Sequence, residues 1–211
     1  ISTGAGNDTI EYGHGQLLVQ TATQMFDITP GKGVDSITKA SGSLNSTIHN
    51  VTTSKFNFAD GDSVVGAYDT ITGYETAGTA TGTHADNLNI GTGATAGTSI
   101  GSTDFGAFKS HTLSNGEVGF DDASTYAANV VINSGNLADA TGYLNANLGV
   151  NTTVSFEYDS TNNGSVDSTF VFTNLAASAS SGDTLILLKS TIGNGVYADV
   201  EVTGANNIVI S

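Results

Sequence analysis

The chain has 211 residues, with 20 Asp and Glu against 5 Lys and Arg and a formal net charge of −15. A surface of that sign repels nucleic-acid phosphates and anionic membranes, and it repels itself when compact, so a divalent metal is the expected counterweight. The absence of cysteine excludes disulfides and thiolate metal sites, and no stretch approaches 18 consecutive apolar residues, which argues against a membrane span. Only 12% of residues are charged, so Thr, Ser, Asn and Gly must cover the surface, a composition suited to exposed strands and tight turns. The chain shows no signal peptide and does not begin with Met; it reads as a processed or excised piece of something longer.

Residues 1–38 carry the most regular pattern. Thr3-Gly4-Ala5-Gly6-Asn7-Asp8-Thr9-Ile10-Glu11 reads x-G-x-G-x-D-x-U-x, with U a large aliphatic residue, and Pro30-Gly31-Lys32-Gly33-Val34-Asp35-Ser36-Ile37-Thr38 reads the same way. The two copies start 27 residues apart, three nine-residue periods. Between them, one frame keeps Gly13, Gly15 and Val19, and the next keeps only Ile28. Such a period predicts stacked turns of a parallel β-solenoid. The glycines allow positive φ at a tight turn. Carbonyls of Gly4 and Gly6 with the Asp8 carboxylate, and of Gly31 and Gly33 with Asp35, are expected to face a cation. Calcium takes six to eight oxygens, so one turn supplies about half a site and its stacked neighbour the rest.

This motif resembles the glycine- and aspartate-rich nonapeptide repeats of RTX proteins, a group that includes toxins, proteases, lipases, adhesins and S-layer proteins. Thr3 and Pro30 stand where that family has its first glycine. Phe56-Asn57-Phe58, then Asp60-Gly61-Asp62-Ser63, then Asp69-Thr70-Ile71 and Tyr74-Glu75 look like the strand pair that closes many RTX β-rolls. Asp60, Asp62 and Asp69 flank a turn where three carboxylates invite a cation. After a Gly/Thr-rich insertion at 76–83, His84-Ala85-Asp86-Asn87-Leu88-Asn89-Ile90 stands where the family continues with an acidic, isoleucine-bearing segment, and Asp86 joins the candidate ligands.

Residues 91–130 show no clear period and predict irregular strands and loops. Residues 137–148 predict the one helix, with Leu137, Leu144 and Leu148 on its apolar face, Ala138, Ala140 and Ala146 in support, and Asn136 as N-cap. Strands follow at 154–158, 170–172, 183–188 and 207–210. Between the first two lies Asp159-Ser160-Thr161-Asn162-Asn163-Gly164-Ser165-Val166-Asp167. Asp159, Thr161, Asn163 and Asp167 fall at positions 1, 3, 5 and 9 of an EF-hand-like calcium loop, with Gly164 at the bend, although the bidentate Glu of such loops is missing. A β-hairpin with an Asn-Gly turn accounts for much of the segment without metal.

Catalytic patterns are weak. Gly97-Thr98-Ser99-Ile100-Gly101 matches G-x-S-x-G, but no helical pattern follows Ser99 as that elbow requires. His14, His49, His84 and His111 lack zinc-ligand spacing, and Asp121-Asp122 reads as a solvated or metal-bound turn. The expectation is therefore an all-β, non-enzymatic chain. Residues 1–90 form parallel β-roll or solenoid turns with closing strands; residues 91–211 form β-sandwich-like strands with at most one short helix. The helix, strand, loop, strand and terminal apolar strand order resembles the C-terminal regions of RTX-type S-layer proteins and large adhesins. That resemblance implies a calcium-stabilised structural protein of the bacterial cell surface, extracellular, self-associating and exported by type I secretion. Its alternatives are an adhesin module holding a glycan or cell-surface polysaccharide, and the secretion tail of an RTX hydrolase.

Overall fold

A computed structural model describes residues 1–13, 24–40, 52–74, 86–91, 93–175, 182–189, 200–202 and 207–210. The chain is all-β with one short helix. Its N-terminal part coils. Strands β1 (Thr9–Gly13), β3 (Ser36–Ala40) and β5 (Asp69–Thr72) pair in parallel, with Ile10 opposite Ile37 and Ile37 opposite Ile71. Strands β2 (Gln24–Ile28), β4 (Thr52–Phe58) and β6 (Asn87–Ile90) do the same in a second sheet, with Ile28 opposite Phe56 and Phe56 opposite Leu88. Consecutive strands thus alternate between two sheets, and neighbours within a sheet are parallel, which is the winding of a β-roll. Period-two alternation turns Ile10, Ile37 and Ile71 of one sheet toward Phe56, Phe58, Leu88 and Ile90 of the other, and all are buried in one cluster. Each such side chain contributes about 1.5–3 kcal/mol by leaving water.

The later strands complete both sheets. β12 (Thr184–Lys189) runs parallel to β5 with Leu188 opposite Ile71. β11 (Ser168–Asn174) and β10 (Thr152–Tyr158) follow antiparallel. β9 (Glu117–Asp121) and β8 (Ser110–Ser114) end the sheet, and β7 (Thr95–Ala96) lies along β10. In the second sheet β14 (Asn207–Ile210) pairs antiparallel with β6, and β13 (Val200–Val202) pairs with β14. The boundary expected near residue 90 is therefore not a break in the sheets: β12 and β14 belong to the roll.

β11 and β12 are covered on both faces, which is why they carry apolar runs rather than alternation. Val171, Ile186 and Leu188 face the roll. Phe170, Phe172, Leu185 and Leu187 face a second cluster built with Phe120, Phe156 and helix α1 (Leu137–Asn147). The helix buries Ala140, Thr141, Tyr143 and Leu144. Leu144 and Leu148 pack as the apolar spacing predicts, Leu137 is only partly covered, and Ala138 and Ala146 are exposed.

Two local expectations change. Asn136 occupies the N-cap position but makes no cap bond; at ψ 5° it is not extended, and its side chain turns back on the incoming loop. There its Oδ1 accepts from the Asn133 N–H and its Nδ2 donates to the Val131 carbonyl. The stretch expected to be irregular contains a regular hairpin, β8–β9, closed by Asn115 (φ 49°) and Gly116 (φ 88°). This is the Asn-Gly pair that a two-residue hairpin loop favours. No helix among the described residues is long and apolar enough to cross a membrane.

Candidate metal centre

The turns entering β1, β3 and β5 each end in an aspartate, and winding stacks the three. The Asp8 N–H donates to Asp35 Oδ1 at 2.7 Å, and the Asp35 N–H donates to Asp69 Oδ1 at 2.7 Å. The Asp69 N–H donates to Ser63 Oγ at 2.7 Å, and that hydroxyl donates to the Leu185 carbonyl of β12 at 2.6 Å. One carboxylate oxygen each of Asp35 and Asp69 thus serves as a rung between turns. Oδ2 of Asp8, Asp35 and Asp69 is buried and has no hydrogen-bond partner among the described residues. Asp35 and Asp69 are 1% and 0% exposed.

The glycines of the motif make this stacking possible. Gly4, Gly6, Gly31 and Gly33 all have positive φ. A Cβ on Gly31 would lie 1.9 Å from the Gly4 carbonyl oxygen, and one on Gly33 would lie 2.0 Å from that of Gly6. Backbone meets backbone, so no side chain fits there. The Gly6 N–H donates to the Lys32 carbonyl at 2.8 Å, and the Val34 N–H donates to Asn7 Oδ1 at 3.0 Å, tying the two turns together.

Unpaired carboxylate oxygens out of water resist ionisation. Burial pushes the Asp69 carboxyl up to about 7; the Asp35 N–H pulls it down, and the charges of Asp35 and Asp62 push it further up. Asp35 is raised by burial in the same way, with Asp8 and Asp62 adding repulsion against the bond from the Asp8 N–H. Asp62 is itself buried, and its Oδ2 accepts from the Ala59 N–H at 2.8 Å. Asp62 therefore belongs electrostatically with the ladder.

This donor set fits a hard divalent cation. It consists of oxygens only, its carboxylates outnumber any compensating charge along that edge, and its orphaned oxygens recur once per turn. Among the described residues no group of three or more His, Cys, Asp or Glu side chains is assembled to hold a metal ion. Calcium does not demand such a group, because carbonyls and water complete its shell.

The other candidate ligands lie elsewhere. Asp60 is exposed, with its Oδ1 beside Gly91. Asp86 lies on the opposite edge of the roll, where both carboxylate oxygens are 3.0 Å from Lys39 Nζ and Oδ1 also accepts from the Ser54 N–H. An ammonium already compensates it, and we withdraw it as a metal ligand.

The loop from Asp159 to Asp167 has the polarity of an anion nest. Asn162 (φ 56°) and Gly164 (φ 87°) turn N–H groups inward. Asp159 Oδ1 accepts from the N–H groups of Thr161 and Asn163 and from Thr161 Oγ1, and its Oδ2 accepts from the Gly164 N–H at 2.6 Å. Asn163 Oδ1 accepts from Ser165, and Asp167 Oδ1 from Ser160 and Ser168. Burial raises the Asp159 carboxyl, but the bonds from Gly164, Asn163 and Thr161 outweigh it, and the net shift is downward. The loop's own donors hold Asp159, so the geometry around Asp159, Thr161, Asn163 and Asp167 is that of a hydrogen-bonded turn. Asp121 is a second such nest rather than a solvated or metal-bound turn. N–H groups of Ala127, Ala123 and Ala128 hold its carboxyl down to about 2.

Ser99 is exposed in a segment outside any helix or strand, with no helix directly after it. His111 Nδ1 lies 2.9 Å from Tyr143 Oη and joins the hairpin to α1. His14, His49, His84 and Glu75 lie outside the described residues. Two features of the site were not foreseen: Ser63 as the terminal acceptor of the ladder, and Lys39 inside the roll. The second carried a signal, since alternation from Ile37 puts residue 39 on the core face. No family model, no curated protein and no solved structure matches the chain.

Proposed function

We propose that this chain is a calcium-stabilised structural protein of the bacterial cell surface, an S-layer or similar assembly component, exported by type I secretion and self-associating outside the cell. The observation that carries the reading is the row of buried, partnerless Oδ2 atoms on Asp8, Asp35 and Asp69. Calcium bound along that edge would neutralise the ladder, and Asp35, Asp69 and Asp62 would hold it together with turn carbonyls. In a compartment poor in calcium the same row, with a net charge of −15, works against the compact state. After export, calcium supplies the missing charge, and binding free energy becomes folding free energy. Self-association draws on the terminal strand β1, which among the described residues pairs with no strand on its outer side and offers backbone groups to another sheet.

The test is circular dichroism, sedimentation and electron microscopy of the protein with calcium and with excess chelator. Ordered assemblies are expected with calcium, and loss of assembly with weakened β-signal in chelator. Unchanged spectra and unchanged oligomeric state in chelator would refute the proposal. Binding of the monomer to a glycan array, without assembly, would point to the adhesin reading instead.

A further inference from the structure

The two edges of the roll follow one plan but are compensated differently. On the edge described above, an aspartate stands two residues before the inward aliphatic residue: Asp8 before Ile10, Asp35 before Ile37, Asp69 before Ile71. On the opposite edge, Asp86 stands two residues before Leu88 of β6, and Ser54 two before Phe56 of β4. The rung is repeated too. The Ser54 N–H donates to Asp86 Oδ1 at 2.7 Å, the distance found at the Asp8–Asp35 and Asp35–Asp69 rungs. The difference is the countercharge. Lys39 Nζ, on a side chain 3% exposed, lies 3.0 Å from a carboxylate that is 0% exposed. Lys39 starts from β3, opposite Tyr12, at a position that alternation assigns to the core. The Tyr12 hydroxyl donates to Ser54 Oγ at 2.8 Å, and the Tyr74 hydroxyl donates to the Asp86 carbonyl at 2.7 Å. These bonds keep the polar network closed within the roll.

We propose that the Lys39 ammonium is a tethered cation, taking at Asp86 the part that a divalent ion takes on the first edge, so that calcium dependence belongs to one edge of the roll alone. The inference rests on the calcium reading of the first edge. It explains why a lysine occupies a core position: burying an ion pair gains little stability over apolar packing, but an aspartate kept as a rung needs its second oxygen compensated.

Lys39→Met keeps much of the side-chain volume and leaves Asp86 charged. In chelator its thermal midpoint is expected to fall by about 10 °C. Calcium is expected to restore more of the midpoint than it adds to the wild type, and titration calorimetry to register an additional bound ion. Lys39→Met combined with Asp86→Asn is expected to recover the midpoint and lose the extra calcium increment. Should the single variant not fold, the double variant carries the test, because it is expected to fold with the wild-type calcium response. A double variant no more stable than the single, or a Lys39→Met protein whose calcium response equals that of the wild type, overturns the inference. The calcium reading fails separately, if Asp35→Asn responds to calcium as the wild type does.

Discussion

Asp35 and Asp69 each do two jobs with two oxygens. Oδ1 fixes the spacing of the turns, and Oδ2 stores an electrostatic debt. Asn keeps the first and removes the charge of the second. Asp69→Asn is therefore expected to stabilise the metal-free protein, by about 1 kcal/mol once solvent screening is allowed for, and to shrink the calcium response; urea titration with and without chelator measures both. The glycines are less forgiving. In Gly33→Ala the new methyl would meet the Gly6 carbonyl 2.0 Å away, at φ +153°, and neither backbone can yield alone. A loss of about 3 kcal/mol is expected, read from the same titration. At this scale the sequence was informative where chemistry is local. The two G-x-G-x-D frames encode both turn conformation and ladder, and Asp69-Thr70-Ile71 repeats their ending. Lys39 was legible only through its phase with Ile37, and its partner Asp86 is 47 residues away, a distance no local pattern spans.

Turns that look alike in composition differ in which way their backbone points. In the roll, the turns aim carboxylates at one another. In the Asp159 loop, positive φ at Asn162 and Gly164 aims N–H groups at one carboxylate. Oxygen spacing of 1, 3, 5 and 9 in the Asp159 loop says nothing of which way the N–H groups point, which is why spacing alone suggested a calcium loop. Asp159→Ala should therefore weaken the β10–β11 hairpin equally with and without calcium, because the loop's donors lose their acceptor either way; amide exchange at Asn163 and Gly164 would report it. A loss confined to calcium-containing buffer would restore the loop as a metal site. The β8–β9 hairpin was missed for the opposite reason. Its Asn115-Gly116 signal lay within a stretch rich in Gly, Thr and Ser, where turn residues carry little contrast.

For the molecule as a whole, five carboxylates fall into two groups with opposite pH signatures. Asp69, ordinarily near 3.8 but raised to about 7, binds its proton more tightly in the folded state. Its contribution is full below about pH 4 and is lost as pH rises through 7. Asp35 shifts the same way. Asp121, held down to about 2, contributes above its ordinary value and loses that contribution as pH falls toward 2; Asp159 and Asp167 are also lowered. Metal-free stability is expected to peak in mildly acid solution and decline toward pH 8, with calcium flattening the alkaline limb. Thermal melts across pH with and without calcium check this, and a metal-free protein more stable at pH 8 than at pH 5 would contradict it. The all-β architecture was legible because strands announce themselves by alternation or by apolar runs. Sheet membership was not, since nothing local in Leu185 to Leu188 says that its neighbour is Ile71.

The bond from Ser63 to Leu185 joins positions 122 apart, and β14 closes the other sheet from the far end of the chain. The roll is wound by the first part of the sequence and sealed by the last. A chain that enters its folding compartment N-terminus first leaves β5 and β6 as open templates until the remainder arrives, an interval in which strands of neighbouring molecules compete for them. A chain whose C-terminus arrives first already holds β12 and β14. The roll can then grow on that platform one coil at a time, each step a short closure rather than a long search. The direction of entry is thus expected to set the ratio of folded to entangled product.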